Sequence, residues 1–542
     1  MLARHRPWPH SVLAMSPAPS SNRPNVLLIV TDQERERSWV PDDLWDELAN
    51  RRRLRDAGME LRSHYTHSSP CSPSRATLLT GQHVPEHGVT DNVFVDPVQP
   101  DLHTATPTIG HVFRVAGYRT AYLGKWHLSY GNPDIEGYGF SDWTGEDWAW
   151  TGLAGTGAHY DEIIAAQAAE WLGAHGASDE PWLLVVGLVN PHDVAWFPAD
   201  QPDYQAQHSD RTTDYARILP TPIPGAGPIP TFEEPYSEQF DLPLNFDDDL
   251  TSKPAVQHAW RWEENHSMFG WLDLDDERVW RRCLDYYWRL HELNDVHVGT
   301  ILDALVSTGG WDDTVVVLTS DHGEQAGGHG LRGKGPFAYQ EIMHIPLVVR
   351  APGVTTAGSS SDSLTSAVDL APTLCSLAGI GDDVWSTSMS GVDLSPVLRG
   401  DEERVRDHVL FAQAQGWHPS CLAQRYALRG CFDGRHKYVR YFGVGGGCDN
   451  LGRSLDWAPE MRFGPDAAFG DHEHELYDLV DDPGELHNLA HEPGRRGELR
   501  DRFDHLLELE QAAFRSTRPP GPGGGSTHAA QMMDRSGYFR DS

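Results

Sequence analysis

Residues 25–31 read N-V-L-L-I-V-T, and this stretch, followed directly by Asp32 and Gln33, decides the fold class of the chain. A continuous apolar run of this kind is typical of a parallel strand that is buried on both faces of a sheet. Comparable runs follow at residues 118–123, 182–189, 314–319 and 345–350. Helical patterns lie between them, the clearest at residues 286–305 before a Gly-Gly stop. The alternation predicts an α/β fold with a large mixed, mostly parallel sheet flanked by helices.

The pattern changes along the chain and predicts two folded units. The large sheet occupies residues 23–400, with an insertion at about 195–280 that is rich in Pro, Asp and aromatic residues. Residues 401–515 predict a smaller C-terminal α+β subdomain, with an antiparallel sheet and an amphipathic helix at residues 495–514. Residues 1–22 predict a flexible leader, and residues 516–542 predict a flexible tail.

Charge and composition exclude several classes of partner. The 542 residues carry 79 acidic against 43 basic side chains, a formal charge of −36, which argues against nucleic acid and anionic membranes. No stretch approaches the roughly 20 apolar residues of a membrane span, and the first residues lack a signal peptide's apolar segment. The six cysteines form no C-x-x-C pair, so no zinc site is predicted. We expect a soluble, cytoplasmic protein; the sequence leaves its oligomeric state open.

Reactive side chains follow four of the predicted strands, and the carboxyl ends of parallel strands are where ligands bind. In chain order they are Asp32 and Gln33, Lys125 and His127, His192, and Asp321 and His322. One such residue alone is more often a helix cap, but their occurrence at four strand ends favours an active site. Lysine occurs only at 125, 253, 334 and 437, while Arg supplies the other cations, so Lys125 and Lys334 indicate a need for a compact ammonium group.

Residues 71–81, C-S-P-S-R-A-T-L-L-T-G, allow two interpretations. In the structural one, Cys71 is a small buried thiol and Ser74 caps a helix. In the chemical one, a cysteine at a helix N-terminus beside Arg75 is an activated nucleophile.

Together these motifs resemble the type I sulfatases of the alkaline phosphatase superfamily, whose signature is C-x-P-S-R followed by x-x-x-L-T-G. The resemblance covers about residues 24–490 and includes G-Y-R-T-A-Y-L-G-K-W-H and V-V-L-T-S-D-H-G-E-Q-A-G-G-H-G. It implies an alkaline-phosphatase-like fold and a sulfuric ester hydrolase of the arylsulfatase kind, acting on a small-molecule or carbohydrate sulfate ester. It also implies a maturation partner, the formylglycine-generating enzyme, which oxidises Cys71 to Cα-formylglycine.

The resemblance implies one divalent metal ion, bound by Asp32, Gln33, Asp321, His322 and the formylglycine at position 71. Gln33 stands where the commoner pattern has a second Asp, and His322 stands where many members have Asn. Both departures reduce the anionic oxygen character of the site. Calcium is the first choice of metal, with magnesium or manganese as alternatives.

The implied reaction passes through a formylglycine–sulfate intermediate at residue 71. One hydroxyl of the hydrated aldehyde attacks sulfur, Asp321 accepts its proton, and His192 protonates the leaving oxygen. His127 then deprotonates the second hydroxyl, so that sulfate leaves and the aldehyde is restored. The resemblance also implies that Arg75 orients the diol and that Lys125 and Lys334 neutralise the sulfuryl oxygens. Glu324 is a candidate supporting partner. Three further histidines are expected to be structural: His83, His87 and His329.

Three other functions compete with this interpretation. Formylglycine-dependent phosphonate monoester and phosphodiester hydrolases are the main alternative, but Lys125 and His127 favour a sulfatase. Choline-sulfatase-like members share the Asp-Gln and Asp-His departures, which fits a small alkyl sulfate. The aromatic insertion and the Gly-rich residues 443–447 instead favour a larger organic or sugar sulfate. A non-catalytic binding protein is the least favoured, because every expected catalytic position is filled.

Overall fold

The computed structural model of the protein describes residues 23–93, 101–129, 135–143, 152, 154–207, 240–267, 269–415, 426–443 and 468–514. The predictions for residues 1–22 and 516–542, for the Gly-rich stretch after Gly443, and for the middle of the insertion lie outside this part of the chain. None of the helices in the described part is long and apolar enough to cross a membrane.

A seven-stranded sheet forms the centre of the larger unit, as the sequence predicts. Its strands, in spatial order, are β10 (Ser359–Ser361), β2 (Met59–Leu61), β9 (Leu347–Arg350), β8 (Thr314–Ser320), β1 (Asn25–Asp32), β5 (Trp182–Pro191) and β4 (Arg119–Gly124). The four strands β8, β1, β5 and β4 run parallel. Two short pairs lie outside it, β3 (His64–Tyr65) with β11 (Thr365–Ser366), and β6 (His266–Ser267) with β7 (Gly270–Trp271).

Strand β9 accounts for the mixed character that the sequence predicts for this sheet, although its apolar run resembles those of the parallel strands. It pairs antiparallel with both β8 and β2, so the sheet is mixed. The reason lies in the connection from β8, since a parallel strand requires a crossover that returns across the sheet. The connecting residues hold only short helical turns, and β9 therefore runs back from the edge at which β8 ends.

Helices cover both faces of the sheet. Both faces of β1 are therefore buried, which is why its sequence is apolar almost throughout. Leu27 and Ile29 face the layer formed by helices Ala49–Ala57, Thr156–His175 and Glu277–Ser307. Val26, Leu28 and Val30 face the layer of helices Cys71–Thr80, Ile109–Val115 and Leu370–Leu377. The helices in chain order are α1 (Asp42–Trp45), α2 (Ala49–Ala57), α3 (Cys71–Thr80), α4 (Val84–His87), α5 (Ile109–Val115), α6 (Thr156–His175), α7 (Pro202–Gln207), α8 (Ala255–Asn265), α9 (Glu277–Ser307), α10 (Gln340–Met343), α11 (Leu370–Leu377), α12 (Asp382–Trp385), α13 (Ser395–Arg399) and α14 (Arg496–Ala513).

The C-terminal subdomain is an antiparallel sheet covered by α14. Its strands lie in the order β12 (Val409–Gln415), β13 (Tyr426–Phe432), β14 (His436–Gly443) and β15 (Glu473–Asp478). Leu499, Phe503 and Leu506 of α14 pack on its apolar face. The antiparallel sheet and the amphipathic helix were both predicted from the sequence; β12 was not.

A buried ion pair fastens this subdomain to the larger unit. The Lys437 ammonium lies 2.8 Å from Glu485 Oε1 and donates to the backbone carbonyl of Ala338 at 2.7 Å. The second Glu485 oxygen accepts the backbone N–H of Gln340 at 2.8 Å. Both charged side chains are about 1% exposed, so each depends on the other for compensation of its charge.

We expect K437M to lower the free energy of unfolding by about 3–5 kcal/mol, because it leaves the Glu485 carboxylate buried without its counter-ion. Urea unfolding followed by circular dichroism measures the change. R435M is the matched control, since the Arg435–Asp478 pair lies on the surface and is screened by solvent. An equal loss in both variants would contradict a special role for the buried pair.

Candidate active site

All ten residues predicted for the site surround one point, the sulfur of Cys71. Strand ends supply most of them: Asp32 and Gln33 at β1, Lys125 and His127 after β4, His192 after β5, and Asp321 and His322 after β8. Cys71 and Arg75 lie on α3, and Lys334 lies on the segment that leads from β8 to α10. The parallel strands explain this convergence, because their carboxyl ends share one edge of the sheet.

Cys71 is the first residue of α3 and is about 1% exposed. Its sulfur lies 3.2 Å from Lys334 Nζ, 3.3 Å from His322 Nε2 and 3.7 Å from Lys125 Nζ. Burial and the neighbouring Asp32 would raise the pKa of the thiol, but these cations lower it well below its usual value. The position therefore stabilises an anion on residue 71, as the chemical interpretation of the motif predicts.

Ser74 corrects the structural interpretation, because it is an interior residue of α3 and not its cap. The N-cap position belongs to Pro70. The Ser74 hydroxyl donates to the backbone carbonyl of Asp321, so it ties α3 to the end of β8.

Arg75 links the two carboxylates at the centre of the site. Its Nη2 lies 3.0 Å from Asp32 Oδ2, its Nε lies 2.9 Å from Asp321 Oδ2, and its Nη1 donates to the carbonyl of Lys125 at 2.8 Å. A Cβ at Gly187 would lie 2.4 Å from that carbonyl and 3.2 Å from Arg75 Nη1, so only glycine fits there. Arg75 thus holds the two carboxylates together and fixes the path of the backbone after β4.

The two carboxylates differ in their tendency to ionise. Burial would raise the pKa of Asp32, but Lys125 at 2.7 Å, together with Lys334, lowers it well below its usual range. Burial, followed by repulsion from Asp32, raises the pKa of Asp321 to about 7. A bound cation would remove this repulsion, because it adds positive charge between the two groups.

The donor atoms of Asp32, Cys71, Asp321 and His322 fit a divalent metal ion. One ligand atom from each lies within 4.8 Å of the others, and all four residues are buried. Buried anions are costly in a protein interior, and a bound cation would add to the compensation that Arg75, Lys125 and Lys334 already give. When bound, such an ion would polarise an oxygen that it coordinates and lower the pKa of a protonated group bound to it.

Gln33 has a left-handed backbone, with φ of 69°, which aims its side chain into the site. Its backbone N–H donates to Asp321 Oδ1 at 3.1 Å, and its amide oxygen accepts from Lys334 Nζ at 2.6 Å. The amide nitrogen donates to Glu324 Oε2, which fixes the orientation of the amide group. Glu324 Oε1 also accepts the backbone N–H of Gly333 at 2.7 Å, next to Lys334. Glu324 therefore positions both Gln33 and Lys334, more than its sequence context indicated.

The two remaining histidines are neutral. Burial, and secondarily Lys334 and Lys125, lowers the pKa of His192 to about 3, and burial lowers that of His127 to about 4. His192 Nε2 points towards the centre, 4.0 Å from Asp32 Oδ1. A Cβ at Gly152 would lie 2.6 Å from the His192 ring, so the backbone there confines the imidazole.

Comparison with known proteins identifies the relatives of this chain. Residues 24–380 match the family described as Sulfatase, and residues 327–445 match N-sulphoglucosamine sulphohydrolase, C-terminal. Choline-sulfatase from Rhizobium meliloti (strain 1021) is 28% identical over 513 residues, covering 88% of this chain and 84% of that protein.

Two solved structures share the fold. A 2-O GAG sulfatase has a TM-score of 0.66 at 22% sequence identity, covering 94% of this chain and 100% of that one. The phosphonate monoester hydrolase of Agrobacterium radiobacter has a TM-score of 0.62 at 22% identity, covering 93% and 99%.

We expect E324Q to lower metal affinity and kcat by roughly 10–100-fold, the usual cost of losing a partner that orients a ligand. The new amide nitrogen would face the Gln33 amide nitrogen, so Gln33 would turn its oxygen away from Lys334 and the metal site. Isothermal titration with Ca²⁺ and Mg²⁺ measures the affinity directly. E60Q is the control, since Glu60 pairs with Arg37 away from the site. Unchanged metal affinity in E324Q would show that the Glu324 contact does not position Gln33.

Proposed function

This chain belongs to the sulfatase family and is a sulfuric ester hydrolase, and we propose that it cleaves an organic sulfate monoester through a formylglycine at position 71. The observation that supports this most directly is the ring of groups around Cys71 Sγ. Lys125, Lys334 and His322 lie within 3.7 Å of that sulfur. Such a ring suits a nucleophile that becomes an oxyanion and an anionic group that is transferred to it.

Position 71 needs more than a thiol. A cysteine or serine there could form a covalent ester, but it would have no second hydroxyl to expel the sulfate. The hydrate of an aldehyde has two, one to attack sulfur and one to reverse the attachment. The Cys71 sulfur marks where these oxygens lie, at the N-terminus of α3, where backbone N–H groups also favour negative charge.

The metal that this site would take is a divalent ion bound by oxygen and nitrogen donors. Asp32, Asp321, His322 and the oxidised residue 71 would hold it. Gln33 would add its amide oxygen, which also accepts from Lys334. Gln33 and His322 contribute no negative charge of their own. We propose Ca²⁺ as the resident ion. Mg²⁺ and Mn²⁺ are the alternatives, because the reduced negative charge of the ligands makes the site less selective for Ca²⁺.

The two lysines of the site would bind the sulfuryl oxygens. Lys125 is fully buried, and although burial lowers the pKa of its ammonium, Asp32 raises it above the usual value. Lys334 is held by Gln33 and lies on the opposite side of the Asp32 carboxylate, 3.8 Å from Oδ1. Lys125 therefore stays charged, and the contacts of both ammonium groups hold them in place before substrate arrives, which is the condition for electrostatic catalysis.

Asp321 and the histidines would move the protons. In the first step, a hydroxyl of residue 71 would form a bond to sulfur and lose its proton to Asp321. The ester S–O bond would break, and His192 would supply the hydrogen bond or proton that the leaving oxygen needs. In the second, His127 takes the proton of the other hydroxyl, the bond from residue 71 to the sulfate oxygen breaks, and the aldehyde returns. Neutral His127 suits a base, and an anionic substrate raises the pKa of His192 towards that of an acid.

The alternative function is that of a phosphonate monoester or phosphodiester hydrolase. We consider it because a solved phosphonate monoester hydrolase has the same fold. A sulfate monoester presents three non-bridging oxygens, whereas a phosphodiester presents two and carries a second organic group. That group would displace contacts to Lys125 and His127, which are both buried. Leaving such groups unpaired costs about 1–3 kcal/mol each, so the geometry favours sulfate.

We expect protein expressed with a formylglycine-generating enzyme to carry the aldehyde or its hydrate at position 71, as peptide mass spectrometry would detect. C71S should release at most one equivalent of alcohol and retain a sulfate ester at position 71, because it cannot expel the sulfate. Full multiple-turnover activity in protein that carries only unmodified Cys71 would rule out the proposed route.

We expect matured, metal-loaded protein to hydrolyse p-nitrophenyl sulfate with a kcat/KM roughly 10²-fold or more above that for bis-p-nitrophenyl phosphate and p-nitrophenyl phenylphosphonate. The minimum ratio of 10² follows from the cost of leaving two buried groups, Lys125 and His127, unpaired in the complex with a phosphorus ester. C71A, prepared in parallel, measures any contaminating hydrolase. A higher kcat/KM for either phosphorus ester would favour the alternative function.

A further inference from the structure

Two exposed indoles meet through a half-buried imidazole on the described part of the insertion. Trp262 of α8 and Trp271 of β7 are 68% and 46% exposed, and His266 lies between them. The ring centroids of Trp262 and His266 are 4.2 Å apart, and those of His266 and Trp271 are 5.3 Å apart. We call this surface the aromatic platform. Exposed indoles in a contiguous group usually mark an interaction site, because water contact with them is unfavourable.

The platform is held firmly by backbone contacts. Strands β6 and β7 pair across the turn that joins them, and the Leu272 N–H donates to the carbonyl of Asn265 at 2.9 Å. The Trp271 N–H donates to the Tyr204 hydroxyl at 3.0 Å. Little conformational freedom would therefore be lost when a ligand stacks on these rings.

The platform is joined directly to the elements that carry Lys334 and His192. Arg332, two residues before Lys334, is buried and donates to the carbonyl of Gly270 at 3.1 Å and to that of Ala195 at 2.9 Å. Phe269 of the same hairpin packs edge-on against Trp196, with ring centroids 4.8 Å apart. The hairpin thus packs against the two segments that carry Lys334 and His192, the residue proposed to protonate the leaving alcohol.

The chemistry of the platform fits a sugar ring. A pyranose presents a face of C–H groups, which packs on an indole, while its hydroxyls stay in water; indole is a flat surface of matching size. Arg261, beside Trp262, already donates to the carbonyls of Asp248 and Asp249. With a chain charge of −36, the protein would repel a second sulfate there. The favoured ring is therefore unsulfated.

A small cationic alkyl sulfate fits less well. Its ammonium group could also bind an aromatic face, but the Lys334 side chain, the backbone of residues 332–334 and the Arg332 side chain lie between the Cys71 sulfur and the Gly270 carbonyl, and a two-carbon linker does not span them. Such a substrate could not reach both the catalytic centre and the platform.

We propose that the aromatic platform of Trp262, His266 and Trp271 is a binding subsite for an unsulfated sugar ring of a carbohydrate whose sulfated ring occupies the catalytic centre. The proposal rests on the proposed function for its catalytic half. It assigns the enzyme to sparsely sulfated oligosaccharides, which carry neutral sugars beside the sulfated one, and it makes chain length a determinant of affinity.

The test is isothermal titration of the matured, metal-loaded protein with unsulfated tetra- to hexasaccharides of the chito, cello, agaro, xylo and manno series. We expect at least one series to bind, and W262A and W271A each to weaken that binding roughly tenfold or more, equivalent to about 1.4 kcal/mol. W262F and W271F keep a flat ring and should retain part of the affinity. V296A is the matched control, an exposed apolar residue of α9 that is 61% exposed.

The remaining outcomes separate this proposal from the others. Absence of binding by every oligosaccharide, or equal weakening in V296A, overturns the subsite. Binding of tetramethylammonium in place of sugars would show a site for a cationic head group and also overturns it. Large losses of thermal stability in W262A and W271A would show that the rings pack against the chain itself. Turnover of p-nitrophenyl sulfate by the unmutated protein reports on the proposed function separately, so failure of one does not imply failure of the other.

Discussion

The buried guanidinium of Arg75 is the interaction on which the rest of the site depends. Asp32 and Asp321 end two adjacent strands, and two carboxylates in a protein interior repel each other unless a cation lies between them. Arg75 supplies that cation from α3, contacting both at about 3 Å. Since Cys71 is one turn earlier on the same helix, the contact that holds the carboxylates together also fixes the nucleophile beside them. Removal of the guanidinium would leave both carboxylates without this partner.

The four lysines divide into two pairs, and the second pair supports the first. Lys125 and Lys334 contact the Cys71 sulfur, while Lys253 and Lys437 lie buried where the C-terminal subdomain meets the larger unit. Lys253 donates to the Tyr477 hydroxyl at 3.0 Å, and Lys437 pairs with Glu485. These contacts hold the segment before α10, which also carries Lys334. The smaller subdomain therefore stabilises one wall of the catalytic centre.

Supporting contacts were harder to predict than the catalytic residues. Glu324 was predicted to be a supporting partner without named contacts, and the structure shows that it orients Gln33 and holds the backbone at Gly333. Arg332, unremarked in the sequence, joins the aromatic platform to the catalytic loop. Such residues belong to no periodic pattern, because their partners are backbone groups brought close by folding. The same holds for Ser74, whose motif suggested a cap although its hydroxyl reaches across to β8.

The sequence by itself determined the alternation of strands and helices, the rim of reactive side chains and the family. Apolar periodicity and strand-end positions are local properties, and parallel strands bring their carboxyl ends together whatever lies between them. Tertiary structure decided the antiparallel direction of β9, the role of Arg75 as a bridge between carboxylates and the amide orientation of Gln33. It also left the Trp262 and Trp271 rings exposed and joined through His266. These features arise from contacts between residues distant in the chain, and the spacing of residues along a sequence does not encode the directions in which such side chains meet.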